Sequence, residues 1–186
     1  LRATIEEADP TLDADVAAWR ADRCDLPRLS LLGPVQARTN GDLYAVTDRK
    51  PYYTEVLAWL ALHPHGGTRD QLADAFGITA NRVRVDIKAV RDWLGDNPRT
   101  GTQHIPDARQ SAAGRAQGRG IYQVDGLLCD LDLFRRLRAR GQARGGEHGM
   151  TDLANALTLV TGQPFTGTRE QGWAWLAEGD RLDQHM

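Results

Sequence analysis

The sequence predicts a mainly α fold with small β-sheets, built around a winged helix-turn-helix. Three observations predict it. The stretch TANRVRVDIKAVRDWLG, Thr79 to Gly95, sets Val83, Ile87, Val90 and Leu94 on one stripe of an amphipathic helix. Arg84, Lys88 and Arg91 run one position round from that stripe. Upstream, Thr68 and Gln71 make a capping-box pattern before a shorter helix closed by Gly77, so only Ile78 and Thr79 separate the two helices. Downstream, a Gly-containing loop with Arg115 and Arg119 leads to GIYQVDG, an alternating stretch placed where a winged helix puts its wing.

The remaining elements follow in order. A short helix from about Leu12 to Asp22, with Val16 and Trp19 as apolar contacts, ends before Pro27. Leu29–Arg38 and Leu43–Val46 read as strands of a small sheet, with Asn40-Gly41 as the turn and Pro34 at an edge or bulge. A helix from about Pro51 to Leu62 carries Val56, Leu57, Leu60 and Ala61 at helical period and stops at HPHGG. The helix from Thr68 buries Leu72, Ala75 and Phe76. From Asp96 to Gly120 the composition is loop-like, with an extra strand expected around His104 to Pro106. DLDLFRRLRARGQAR predicts a helix burying Leu131, Leu133, Phe134 and Leu137, and Gly145-Gly146 break it. MTDLANALTLVTG predicts another, with Leu153, Ala156, Leu157 and Val160 as its inward stripe. A last helix is expected from about Arg169 to Asp180. Trp173 and Trp175 cannot face one way on such a helix, so one of them is expected exposed.

The 186 residues are 26% charged and 41% hydrophobic, in the range of a globular protein. The longest apolar run, around Val56 to Leu62, is too short to span a bilayer, and no secretory signal is visible. The chain begins at Leu1, which reads as a portion of a longer protein. Cys24 and Cys129 are too few and too far apart for a disulfide framework, which points to a reducing cytoplasm. His63, His65, His104, His148 and His185 show no metal-ligand spacing. There is no P-loop, no dinucleotide fingerprint and no readable nucleophile–base arrangement, so neither enzymatic activity nor a cofactor is expected.

Net charge is −2, but unevenly spread: residues 82–144 hold thirteen Lys and Arg against seven Asp and Glu, whereas residues 1–27 hold three against seven. A basic middle between acidic ends fits a nucleic-acid surface. Arginine can read guanine with two hydrogen bonds, and Lys and Arg pair with phosphates.

The ordered set LSLLGPVQA, LAWLALHPHGG, DQLADAF, RVRVDIKAVRDWLG, GIYQVDG, DLDLFRRLRARGQA and ALTLVTGQPF resembles the actinobacterial antibiotic regulatory proteins, an OmpR-type winged helix followed by a bacterial transcriptional activator domain. The resemblance covers about Leu29 to Phe165. It implies a transcription regulator that binds double-stranded DNA through a winged helix, and a short tetratricopeptide-like helical segment after it. It also implies protein contact or self-association through the C-terminal helices, and a parent that can be membrane-anchored. The expected division is an acidic appendage over 1–27, a winged-helix domain over 28–127 and a helical activator-like segment over 128–186. The expected DNA-contacting residues are Asn81, Arg82, Arg84, Lys88, Arg91, Arg115 and Arg119. A second reading uses the winged helix as a protein-interaction module in a larger protein; its support is the acidic net charge, the short link at Gly77–Thr79 and Asp86 in the middle of the reading helix.

Overall fold

Among the described residues helices predominate, with two small sheets of three and two strands. The structure, a computed structural model, describes residues 9 to 178. Residues 1–8 of the acidic appendage, the end of the last expected helix at Asp180, and His185 lie outside the described residues. Contacts divide the chain into two units. One combines the described part of Leu1–Arg38 with Leu128–Gly167; the other combines Thr39–Leu127 with the described part of Thr168–Met186. This grouping is not the consecutive division into 1–27, 28–127 and 128–186.

In the first unit, helix α1 spans Leu12–Arg20, and strands β1 and β2 span Arg28–Ser30 and Gln36–Arg38. Strand β5, Leu128–Cys129, leads into helix α6, Asp130–Arg144, and α7 follows at Gly146–Leu157. β1 pairs antiparallel with β2 (Leu29 opposite Ala37) and parallel with β5 (Leu29 beside Cys129). The single strand expected over Leu29–Arg38 is interrupted at 31–35. There the Leu31 and Leu32 N–H groups leave the ladder and donate to the Asp130 carboxylate at 2.8–2.9 Å. Burial raises the pKa of Asp130 against the backbone donors that favour its charged form.

Helices α6 and α7 cross at two glycines. A Cβ at Gly149 would sit 2.4 Å from the Gly141 carbonyl oxygen, so this approach admits no side chain. That crossing sets the rotation of α7, and the inward stripe differs from the expected one. Gly149, Asp152 and Ala156 are buried, while Leu157 and Val160 are exposed and Val160 lies past the helix end. On α6, Leu131, Leu133 and Leu137 are buried as expected, Phe134 is half-buried, and Asp130, Arg140 and Gly141 join the interior.

Arg136, Arg140 and Arg144 of α6 are paired within the first unit. Arg136 donates to Asp9 (2.7 Å) and Asp15 (3.0 Å), and Arg140 to Asp152 (2.7 Å) and Asp13 (2.7 Å). Two of the thirteen basic residues of the middle segment thus pair with acidic N-terminal residues.

In the second unit, helix α2 spans Lys50–Leu62, α3 Arg69–Phe76 and α4 Ala80–Leu94. Leu43–Val46, expected as a strand, lies in a 3-10 helix, Leu43–Arg49. The Asp42 side chain accepts from Tyr44 N at 2.8 Å, and the Gly41 and Asp42 N–H groups bind the Trp93 and Asp92 carbonyls at the end of α4. The Tyr44 and Ala45 N–H groups both turn to Asp42, the latter to its carbonyl at 3.3 Å, instead of entering a ladder. The capping box forms as the sequence implies, Thr68 N to Gln71 Oε1 at 2.8 Å and Gln71 N to Thr68 Oγ1 at 3.2 Å. Gly77 ends α3 in the left-handed region, φ 58°.

The segment after α4 is more ordered than a loop. Strands β3, Asp96–Asn97, and β4, Thr102–Gln103, form a hairpin, and a short helix α5 spans Ala112–Gln117. The extra strand thus ends before the expected His104–Pro106. GIYQVDG does not form a wing strand. Tyr122 makes one isolated bridge to Gly67, while Ile121 N turns to the Ala108 carbonyl at 2.8 Å. The last described helix, α8, is Ala174–Glu178. Trp173 precedes it with φ 66°, which lets its ring stack on Trp175 with centroids 5.5 Å apart. Both indoles are buried, contrary to the expectation that one would be exposed. Among the described residues, no helix is long and apolar enough to cross a membrane.

Candidate nucleic-acid interface

Helix α4 is positioned from both ends and from below. Thr79 caps its N-terminus, its hydroxyl accepting from Arg82 N at 3.3 Å. Val83, Ile87, Val90, Trp93 and Leu94 are buried against α2, α3 and the 3-10 helix. The outward face is then Asn81, Arg84, Val85 and Lys88, all exposed.

The expected DNA-contacting residues separate into distinct situations. Arg84 is exposed and projects from the middle of that face. Lys88 pairs with Asp92 at 2.6 Å, but its side chain is 71% exposed, and such a surface pair contributes at most about 1 kcal/mol. Arg82 lies at the edge of the face with Nε 2.9 Å from Asp86 Oδ1, an interaction that raises the guanidinium pKa and keeps it charged. Arg91 turns away from the face. It donates to the Ile105 carbonyl at 2.6 Å and the Pro106 carbonyl at 3.2 Å, tying the segment after the hairpin to α4. Arg115 is on α5 rather than in a loop, and it lines a cleft of about 610 Å³ with Thr102, Pro106, Gln110 and Asp125. Arg119 is exposed, its guanidinium forked onto Gln117 Oε1 at 3.0 and 2.7 Å. Asn81, Arg84 and Lys88 thus share one helix face with Arg82 at its border, Arg91 is structural, and Arg115 and Arg119 belong to a separate segment.

Two features of this surface escaped the sequence reading. Val85 is 52% exposed in the centre of the polar face, because it falls outside the inward stripe. Asp86, by contrast, points inward. It is 2% exposed and accepts from the Tyr52 hydroxyl at 2.7 Å and the Tyr53 hydroxyl at 3.4 Å. Its spacing carried the signal: Asp86 follows Val83 by three and precedes Val90 by four, which places it on the apolar stripe. The Tyr52 hydroxyl has a raised pKa, through burial first and the Asp86 carboxylate next, so it stays a donor. The Arg49 guanidinium lies 4.3 Å from the Tyr52 ring centroid, adding a second exposed cation near Arg82.

In comparisons with known proteins, no family model matches this chain, and neither a curated protein nor a solved structure matches it.

Proposed function

We propose that the second unit is a duplex-DNA-binding module of a transcription regulator, a helix-turn-helix in which α4 enters the major groove. The observation that carries this reading is the outward face of α4. Asn81, Arg84, Val85 and Lys88 are exposed on it together, and the one acidic residue of the first three turns, Asp86, is buried beneath it. Such a face holds two phosphate-pairing cations, an adenine reader and an apolar contact for a thymine methyl. The three-residue joint Gly77–Thr79 to α3 supports the same reading. Arg115 and Arg119 take the role of backbone contacts from the segment where a wing would stand. The test is binding to duplex DNA across a salt series, for the native chain and for Arg84→Glu with Lys88→Glu. The log–log salt slope should fall by about 2 in the variant, one per lost phosphate contact. Equal weak binding by both proteins rejects the reading.

A second reading, a protein-interaction module, is favoured by the exposed apolar residues Leu43 and Tyr44 before α2 and by Met150 and Leu157 on α7. Self-association or a protein partner through the C-terminal helices belongs to this reading, and the oligomeric state by light scattering tests it: a monomer at all concentrations removes self-association.

A further inference from the structure

We propose that Asp86 is a positioning residue that presents Arg82 end-on to a guanine, making Arg82 the specificity-determining side chain of α4. The proposal rests on the DNA-binding reading and deepens it.

Arg82 is the third residue of α4, in the first turn, where a reading helix meets base edges. Its Nε is held 2.9 Å from Asp86 Oδ1, and among the described residues no other partner engages its guanidinium. The two terminal nitrogens therefore remain as a free fork. A guanine presents two acceptors, N7 and O6, side by side in the major groove, and a planar fork matches both at once. A lysine ammonium in the same place would supply charge without the match.

The carboxylate that aims this fork is held from α2. Asp86 is buried, and the Tyr52 hydroxyl at 2.7 Å and the Tyr53 hydroxyl at 3.4 Å fix its oxygens from the wall of α2. The Tyr52 ring is itself in contact with two guanidiniums, those of Arg49, 4.3 Å from its centroid, and Arg169, 5.3 Å away. The arrangement runs from a packed helix, through an anchored acid, to one guanidinium at the surface. An arginine ordered before binding loses less freedom on binding. It also discriminates more sharply, because it cannot relax onto a wrong base.

The test starts with a selection of duplexes from a random pool by the native chain. A consensus with an essential guanine is expected, and replacing that guanine by 7-deazaguanine, which lacks N7, should weaken binding about tenfold. Arg82→Ala and Arg82→Lys should bind the two duplexes equally. Tyr52→Phe, which keeps the buried acid but loosens it, should reduce the discrimination at unchanged salt slope. The double variant Tyr52→Phe with Asp86→Leu, which keeps the interior apolar, should abolish it. Discrimination that survives in Arg82→Lys shows that N7 is read without the guanidinium fork and overturns the proposal. So does native discrimination in both Tyr52→Phe and the double variant. No consensus for the native chain sinks the DNA-binding reading and this proposal together, whereas a native consensus whose guanine persists in Arg82→Ala sinks the proposal alone.

Discussion

Arg140 and Asp152 meet as a two-pronged ion pair in the interior of the first unit, Nε and Nη2 reaching the two carboxylate oxygens at 2.9 and 2.7 Å. Arg144 adds a third bond to Asp152 at 2.9 Å. The pair fixes α6 against α7 where Gly141 and Gly149 bring the backbones together. Removing one partner of a buried pair strands the other charge, at a cost of about 3–5 kcal/mol. Asp152→Ala should therefore lower the urea unfolding free energy of this unit by about 3 kcal/mol, the Arg140–Asp13 contact limiting the loss. Arg140→Met with Asp152→Leu should cost much less. A loss under about 0.5 kcal/mol in Asp152→Ala, the range of an ordinary surface change, would mean the pair is not buried in solution.

The acid limb of stability follows from the same arginines. Hydrogen bonding to Arg136 lowers the Asp9 pKa, and hydrogen bonding to Arg140 lowers that of Asp13. A folded pKa below the unfolded value of about 3.9 gives stability that is present above that value and lost as pH falls through the folded pKa. The raised Asp130 contributes in the opposite sense, favouring the folded state when protonated. Asp13→Asn isolates one component. Its unfolding midpoint should lie below that of the native chain at pH 6, and the difference should shrink as pH falls below about 4. A constant difference across pH 2–6 would exclude the linkage.

Local backbone chemistry was the legible part of this fold. The Thr68/Gln71 capping box, the Gly77 stop and the Gly145 break all depend on residues within one turn of each other, and each forms. The misread parts depend on partners far along the chain. Leu43–Val46 has strand-like residues, but its Tyr44 and Ala45 N–H groups go to Asp42, and the preceding Gly41 and Asp42 N–H groups are held by the end of α4. The β1–β2 strand breaks because Asp130, about a hundred residues later, captures two of its N–H groups. The basic charge of the middle segment is real in the sequence. No spacing rule shows that Arg136 and Arg140 are matched to Asp9, Asp13 and Asp15. On α4, period separated the faces correctly, yet Arg91 was counted with the reading residues because its carbonyl partners lie beyond the hairpin.

Arg84 and Arg91 should consequently behave oppositely. Arg91 donates to two backbone carbonyls and leaves them unsatisfied when removed, so Arg91→Ala should lower stability by about 1–3 kcal/mol. Arg84 is exposed, and Arg84→Ala should change stability by less than about 0.5 kcal/mol. The DNA affinity of Arg84→Ala should fall, and the salt slope should drop by about 1 for the lost phosphate contact. Thermal melts and fluorescence anisotropy separate the two. A stable Arg91→Ala that has lost a unit of salt slope would return Arg91 to the interface.

Glu55 anchors the last described segment of the second unit and offers the sharpest optical test. This carboxylate on α2 is buried and accepts from Arg169 Nε at 2.5 Å, Trp173 N at 2.6 Å and Trp175 Nε1 at 3.1 Å. Trp173 holds a left-handed backbone, φ 66°, which an L side chain adopts at a cost of about 1–3 kcal/mol. The bonds to Glu55, the stacking on Trp175 and the contact of Trp175 with Phe76, centroids 6.5 Å apart, offset that cost. In Glu55→Ala the donors lose their acceptor, and the left-handed conformation of Trp173 loses the bond from its own N–H. The segment should detach before the unit unfolds. Its two indoles should then shift their emission to the red and become accessible to acrylamide, while far-ultraviolet dichroism stays close to that of the native chain. Glu55→Gln keeps one acceptor oxygen and should retain much of the native emission. Native-like emission in Glu55→Ala would show that the indoles are seated by ring packing alone and that Glu55 is not the anchor.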